Sequence, residues 1–440
     1  MHRRSFLQML AASAGACAFP SIVNAQTLGL NGKTAPSNRV TLGFIGVGGM
    51  GGGTMRAAAG NPAVEILSVC DTDGQRAARA LGVVDGAYAK RKESGEYKGC
   101  QTTDDFRTVL ARKDIDAVVI SLPDHWHAIP VIMAARAGKD IYAEKPLALT
   151  IPEGRAMVNA VEQSGVVCQI GSQQRSGLTF QRAIEAVRNG LLGKIKRVRV
   201  GLPGGGPNGD RAKITAPMAA QTPPTDFNYD MWLGPAPWAP YYVERCHWDF
   251  RWQFDYSGGQ LSDWIGHHFD SATLMTGVNG TGPVAIKDAQ AKFLTGPLYN
   301  TASQYSFSVH YGDGTVIEVA NNYKGGVELE GTEGSVFVTR SVVEFSSPQL
   351  QSASTPSQGY RMERTGHFNN FLDCIKTRSK PVCPIADAHR TASVAHLANA
   401  AFRSGRSELK WDPINEVVID APDAARLLTR AYRAPWQLPV

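Results

Sequence analysis

The sequence predicts an α/β protein: an N-terminal, doubly wound parallel sheet, then an α+β domain with a large, mainly antiparallel open sheet. Three observations predict it. Up to about residue 170, short apolar runs alternate with helix-patterned segments, as strands buried on both faces do. The first run ends in Gly46-Val47-Gly48-Gly49-Met50-Gly51, a G-x-G-x-x-G turn between a strand and a helix. After about residue 195, strand-like segments are joined instead by short turns such as Gly312-Asp313-Gly314, the pattern of successive hairpins.

The elements follow in order. Residues 1–25 read as a targeting signal: Arg3-Arg4-Ser5-Phe6-Leu7, an Ala-rich apolar run, then Val23-Asn24-Ala25 with small residues at the cleavage positions. The paired arginines resemble a twin-arginine export signal; an ordinary secretion signal or a short anchor is the alternative. Residues 26–38 form a polar, flexible leader. Strands are expected over 40–45, 64–70, 116–122, 140–143 and 166–170, with helices over 50–59, 74–81, 128–137 and 151–164. A nucleotide-binding domain is placed at 39–157 and a substrate-binding and oligomerisation domain at 158–440. In the latter, strands are expected over 196–202, 303–311, 315–321, 326–330 and 335–339, and helices over 366–378 and 387–405. Residues 203–255, rich in Gly, Pro, Trp and Tyr, make a long irregular stretch of the kind used for lids or subunit contacts.

Composition bounds the function. With 440 residues, 43% of them hydrophobic, two domains can each bury a core. The net charge of +6, or +4 once residues 1–25 are removed, comes without any block of five or six like charges, which argues against a nucleic-acid partner. Beyond the signal no stretch is long and apolar enough to span a bilayer. Cys70, Cys100, Cys168, Cys246, Cys374 and Cys383 show no C-x-x-C spacing, so structural zinc is not expected. Because twin-arginine substrates fold before export, free and mostly buried thiols are expected rather than disulfides. His125 and His127 flank Trp126, but no acidic or cysteine partner sits at fitting spacing, and no metal is expected.

The glycine turn is expected to cradle a dinucleotide. Gly46 permits the tight turn, Gly48 the approach of a pyrophosphate and Gly51 close helix–strand packing, while the helix N-terminus offers amides to the phosphates. Asp71, twenty residues after Gly51, stands where a carboxylate receives ribose hydroxyls and repels a 2′-phosphate, which favours NAD; Arg76 nearby leaves NADP open. Asp71 or Asp73 has a plainer alternative role as a helix N-cap.

Two further clusters carry a family likeness. One runs through Pro123-Asp124-His125-Trp126-His127 to Glu144-Lys145-Pro146; the other is Gly258-Gly259-Gln260-Leu261-Ser262-Asp263-Trp264-Ile265-Gly266-His267-His268. With the glycine turn they resemble the glucose–fructose oxidoreductase/inositol dehydrogenase/MocA (Gfo/Idh/MocA) family, and Gly331-Thr332-Glu333-Gly334 and Arg433-Ala434-Pro435-Trp436 resemble one exported branch of it. The family usually places Gly two residues after the Asp; here Ile265 stands there and Gly266 follows, which bears on local backbone shape while the acid–histidine spacing survives.

The resemblance implies oxidation of a secondary hydroxyl of a sugar, glycoside or cyclitol, with hydride passing to NAD. It assigns Lys145, Asp263 and His267 to catalysis, His267 being the leading base. A lysine base would need its pKa lowered from about 10.4 by roughly three. On one helical face, Asp263 four residues before His267 would contact and orient the imidazole. Besides Gly46, Gly48, Gly49, Met50, Gly51 and Asp71, the cofactor residues implied are Ser121, His127, Glu144, Lys145, Gln174 and Arg175, with a structural salt bridge as the alternative for Arg175. Lys145, Arg251, Trp264 and His268 are carried to the substrate, although His268 also reads as the structural histidine of its pair. The run His247-Trp248-Asp249-Phe250-Arg251-Trp252 suits stacking on a sugar ring, an aromatic plug or a subunit contact equally well.

The implied setting is periplasmic, reached through the twin-arginine machinery, with a tightly held cofactor and a homodimer or homotetramer packed through the open sheet. Two other functions fit the scaffold. One is an NAD-dependent glycoside hydrolase acting by transient oxidation and elimination, although the Tyr-Pro-Thr-His-Gly type segment of that branch is not found. The other is a non-catalytic sensor, which would need Lys145, Asp263 and His267 to be degenerate.

Overall fold

A computed structural model describes residues 38–207, 218–354 and 358–440. The signal expected at 1–25 and nearly all of the leader at 26–38 lie outside the described residues. The first sheet is formed by β1 (Val40–Ile45), β2 (Val64–Cys70), β3 (Gln101–Thr103), β4 (Ala117–Ile120), β5 (Asp140–Ala143) and β6 (Cys168–Ile170). Its order is β3-β2-β1-β4-β5-β6, and every pairing is parallel. Alternate side chains enter two separate cores. Ile45, Val118, Ile120 and Ile141 pack with Ile129 and Met157 on one face. Phe44, Ile66, Val69 and Tyr142 pack with Met55 and Val84 on the other. That is why these strands read as continuous apolar runs. Chain direction from the sheet centre reverses between β1 and β4, so their carboxyl ends open a crevice.

The second sheet has nine strands in the order β13-β12-β11-β7-β10-β9-β8-β14-β15. Here β7 is Ile195–Gly201, β8 Pro283–Phe293, β9 Ala302–Tyr311, β10 Val316–Ala320, β11 Gly326–Gly331, β12 Ser335–Val338, β13 Val343–Phe345, β14 Leu409–Asp412 and β15 Val417–Ile419. It is mixed and mostly antiparallel: β7 pairs antiparallel with β11 but parallel with β10. The eleven-residue β8 is absent from the expected strands. Its Ala, Lys and Gln are good helix formers, and its ladder shifts register between Lys287 and Gln290, where Asp288 takes a φ of 52°. The helix Ile385–Arg403, almost wholly buried, backs this sheet on its core face. The opposite face carries surface ion pairs such as Arg199–Glu318.

The division expected at residue 157 needs correction. It falls inside the helix Ile151–Ser164, which is held by a Thr150–Glu153 capping box and ended by Gly165 at a φ of 64°. The parallel sheet continues to Ile170. The chain also returns: Phe371 and Leu372 of the helix His367–Thr377 complete the core around Phe44 and Tyr142. The six cysteines among the described residues are unpaired, and all but Cys100 are buried. Among the described residues no helix is long and apolar enough to cross a membrane.

Candidate active site

The crevice beyond β1 and β4 is a cleft of about 230 Å³, lined by Gly46, Gly48, Gly49, Met50, Asp71, Ser121, Glu144 and Lys145 among others. Gly46 has a φ of 85°, and a β-carbon there would lie 2.3 Å from the Ser121 carbonyl, so the turn admits no side chain. The following helix, Gly49–Ala59, starts at Gly48 without a side-chain cap, which leaves its first amides for a ligand. Asp71 follows β2 and accepts the amides of Val47 (2.9 Å) and Asp73 (3.0 Å). The N-cap of the next helix is Asp73, which receives the amides of Gln75 and Arg76. Asp71 is therefore not spent on capping. Burial pushes its carboxyl above the usual range. Ser121 leaves a buried hydroxyl without a partner on the cleft wall. An uncapped helix start, an orphaned hydroxyl and a carboxylate at the second strand end fit a dinucleotide.

A second cavity, of about 720 Å³, adjoins the cleft and shares Met50, Lys145, Trp248, Arg251 and Asp263 with it. Lys145 stands two residues beyond β5 and Asp263 on the helix Gly259–Trp264, so the two halves of the chain meet here. Lys145 Nζ donates to Asp263 Oδ1 at 2.6 Å and approaches the Asp263 carbonyl at 3.2 Å. Burial drives the Asp263 carboxyl up, but Lys145, Arg251 and Arg340 outweigh it and hold the group below its usual range. The lysine thus enters the site as a donor on a carboxylate.

His267 lines the same cavity, 5% exposed, and its Nδ1 has no partner. Burial, reinforced by the cations Lys145 and Arg340, takes its pKa well below 6.5, so the ring is neutral. The expected Asp263–His267 contact is not made. Residues Ile265–Phe269 form a π-turn, which breaks the four-residue face that an α-helix would provide. Gly266 lies within that turn, and a β-carbon on it would meet Lys145 Cβ at 3.2 Å. The displaced glycine therefore lets the lysine pass.

Other expected residues lie off the cleft. Arg175 is 1% exposed and forks onto Asp270 with two 2.7 Å bonds, while also reaching Asp387 at 3.2 Å. It is engaged in a buried ion pair and lines neither cavity, the alternative that the sequence left open. His127 points both ring nitrogens at backbone carbonyls, those of Pro146 (2.6 Å) and Leu122 (2.8 Å), and so braces the two loops instead of lining the pocket. His268 turns inward, with Nδ1 at 2.9 Å from the Gly201 carbonyl and its ring on Phe180, and lines neither cavity. Gln174 lies on the substrate side, donating to the His267 carbonyl and accepting from Arg340 Nε, both at 3.1 Å. Trp264 lines the cavity, beneath the Arg340 guanidinium at 4.9 Å.

The aromatic run resolves into separate parts. Trp248 is 65% exposed at the mouth, with Arg251 stacked 3.9 Å above its ring. Trp252 is buried beside Leu298 and Tyr299. Sequence reasoning missed Arg340, Gln173 and Asp124. Arg340 arrives from the β12–β13 turn, and no local pattern links it to residue 264. Gln173 Nε2 donates to Glu144 Oε1 at 3.0 Å, and burial pushes Glu144 up to about 7. Asp124 was visible in the His-Trp-His cluster; burial raises it to about 7, and its Oδ2 is unpartnered.

Comparison with known proteins agrees with this layout. The family profile "Oxidoreductase family, NAD-binding Rossmann fold" matches residues 40–172, and "Oxidoreductase family, C-terminal alpha/beta domain" matches 177–438, more than half the chain. Curated relatives include a "Glycosyl hydrolase family 109 protein" of Shewanella pealeana, 33% identical over 36% of this chain and 33% of the relative. An "Alpha-N-acetylgalactosaminidase" of Shewanella oneidensis is 31% identical over 44% of each chain. The chain thus spans under half the length of these relatives. Among solved structures, a levoglucosan dehydrogenase in complex with NADH and L-sorbose superposes with a TM-score of 0.60, at 21% identity, over 85% of this chain and 99% of that one. A likeness at that identity speaks for the fold. With a matched NAD-binding Rossmann domain and a matched C-terminal domain, the chain belongs to the Gfo/Idh/MocA oxidoreductase family.

Proposed function

We propose that the protein is an exported, NAD-dependent oxidoreductase that removes hydride from a secondary carbinol of a sugar, glycoside or cyclitol. The observation that carries this reading is the Lys145–Asp263 pair at 2.6 Å, placed with His267 where the cofactor cleft meets the wider cavity. NAD, when bound, accepts the hydride. The chain's own residues manage the proton. Lys145, fixed by Asp263, donates to the alcohol oxygen and stabilises charge developing there. Neutral His267, with Nδ1 uncommitted, takes the hydroxyl proton. Glu144 and Asp124, raised to about 7 by burial, line the lysine's side of the cleft without adding full negative charge near neutral pH. Export rests on Arg3-Arg4 and the apolar run after them, and would favour a cofactor loaded before translocation. A dimer or tetramer through the open sheet face belongs to the same proposal. The test is to denature the purified mature protein, assay the released nucleotide, and then screen carbohydrates for NADH formation. No nucleotide together with no NAD affinity overturns the reading.

A second reading is favoured by the curated relatives named as family 109 glycosyl hydrolases. In it the substrate carbon is oxidised, the glycosidic bond eliminates, water adds across the double bond so formed, and the hydride returns to the carbonyl with no net redox change. Steady nitrophenol release from nitrophenyl glycosides, without added cofactor, would select it over the first.

A further inference from the structure

The cavity beside Lys145 carries more positive charge than a neutral sugar needs. Among the described residues its ionisable lining is Lys145, Arg251, Arg340, Asp263 and His267. Asp263 is engaged by Lys145 at 2.6 Å, His267 is neutral, and the nearest carboxylate to Arg251 is Asp263 at 4.0 Å. Arg251 Nε is buried without a hydrogen-bond partner, and Arg340, exposed and bonded through Nε to Gln174, makes no ion pair with a described carboxylate. Gln260 Oε1 and Trp252 Nε1 are further unpartnered polar atoms on the same wall. Each guanidinium lies over an indole, Arg251 over Trp248 and Arg340 over Trp264. Stacking fixes the plane of a guanidinium and leaves its edge N–H groups for a ligand oxyanion.

Lys145 and Arg251 also line the nucleotide cleft, but Arg340 lines only the wider cavity, so cofactor phosphates do not account for it. Arg251 Nε is buried and makes no hydrogen bond, and an oxyanion on the substrate supplies one, with exposed Arg340 as a second cation on the same cavity. We propose that the substrate is an acidic sugar or cyclitol, whose carboxylate or ester oxyanion is held by Arg340 and Arg251 while a ring hydroxyl meets Lys145 and His267. This names the substrate class and rests on the oxidoreductase reading for the chemical step after binding.

The test is calorimetric titration of the NAD-saturated mature protein with matched pairs: D-glucuronate against D-glucose, and D-galacturonate against D-galactose. D-glucose 6-sulfate and D-glucose 6-phosphate distinguish a carboxylate from ester oxyanions. At least one acidic member is expected to bind about tenfold to a hundredfold more tightly than its neutral partner. Arg340→Gln should bring that ratio close to one, with Arg340→Lys restoring part of it. If no acidic member exceeds its neutral partner, or if the preference survives Arg340→Gln in a protein of unchanged melting temperature, the proposal is overturned. Titration needs no turnover, so the two readings fail separately: acid preference with no NADH formed upholds the anion site and counts against oxidation.

Discussion

Lys145 Nζ and Asp263 Oδ1 are 2.6 Å apart, an ion pair that joins the end of β5 to a helix of the second domain. The two side chains are 11% and 18% exposed, shielded enough for the pair to persist yet open to a substrate. The carboxylate that the family pattern relates to the histidine is thus used to hold the lysine.

Asp263→Asn should therefore act through Lys145. It keeps the shape of the side chain but removes the charge that fixes the ammonium. Turnover is expected to fall about a hundredfold or more, with NAD affinity little changed. Steady-state kinetics beside an NAD titration checks this; wild-type turnover would show that the pair is only structural.

Asp71→Ala should do the reverse. Asp71 stands on the cleft, held by the amides of Val47 and Asp73, with a different residue capping the helix. Loss of charge-assisted ribose bonds should weaken NAD by roughly 1.5–3 kcal/mol, about tenfold to a hundredfold. Turnover at saturating NAD should survive. A loss of turnover that NAD cannot rescue would contradict the assignment.

Arg175→Ala should destabilise the fold. The substitution leaves Asp270, 1% exposed, and the partly buried Asp387 without their shared cation. Breaking such a network costs about 3–5 kcal/mol. Chemical denaturation measures it; an undiminished midpoint together with weakened NAD binding would restore the cofactor role.

This residue shows where sequence reading reaches its limit. Gln174 and Arg175 are neighbours, and likeness to the family assigns both to the cofactor, yet one 3-10 turn sends them to opposite environments. Five strands of the first sheet were legible because both faces are buried, so β1 and β2 stand out as apolar runs, whereas the edge strand β3, polar and largely exposed, was not. β8 was not, because helix-forming residues and a bulge mask its period. Asp263 and His267 were legible as chemistry but not as a contact, since a π-turn cannot be read from a four-residue spacing. Arg340 left no local trace, because a hairpin brings it to Trp264 from 76 residues away.

Acid should destabilise the protein. Burial lowers the imidazoles of His125, His367 and His396 to about 3, 4 and 4, and those of His127, His267 and His268 below the usual 6.5. It also raises Asp124 and Glu144 to about 7, and Asp71 above its ordinary value. As pH falls below about 6.5, the unfolded chain protonates these six histidines before the folded chain does. Against them, the folded chain retains protons on at most three carboxyls that the unfolded chain releases. The histidines prevail, so stability falls as pH drops below that point, by about 1.4 kcal/mol per pH unit for each unbalanced proton. Denaturation midpoints at about pH 7 and about pH 5 test the sign; a higher midpoint at the lower pH contradicts it.

The central claim is that neutral His267 accepts the substrate proton beside the Lys145–Asp263 pair. The most direct measurement is the turnover of His267→Ala, loaded with NAD, on the best carbohydrate that the wild-type protein oxidises. A fall of about 10²–10⁴-fold with NAD affinity retained is the predicted result. Wild-type turnover in that variant would contradict the account and move the proton acceptor to another group on the cleft.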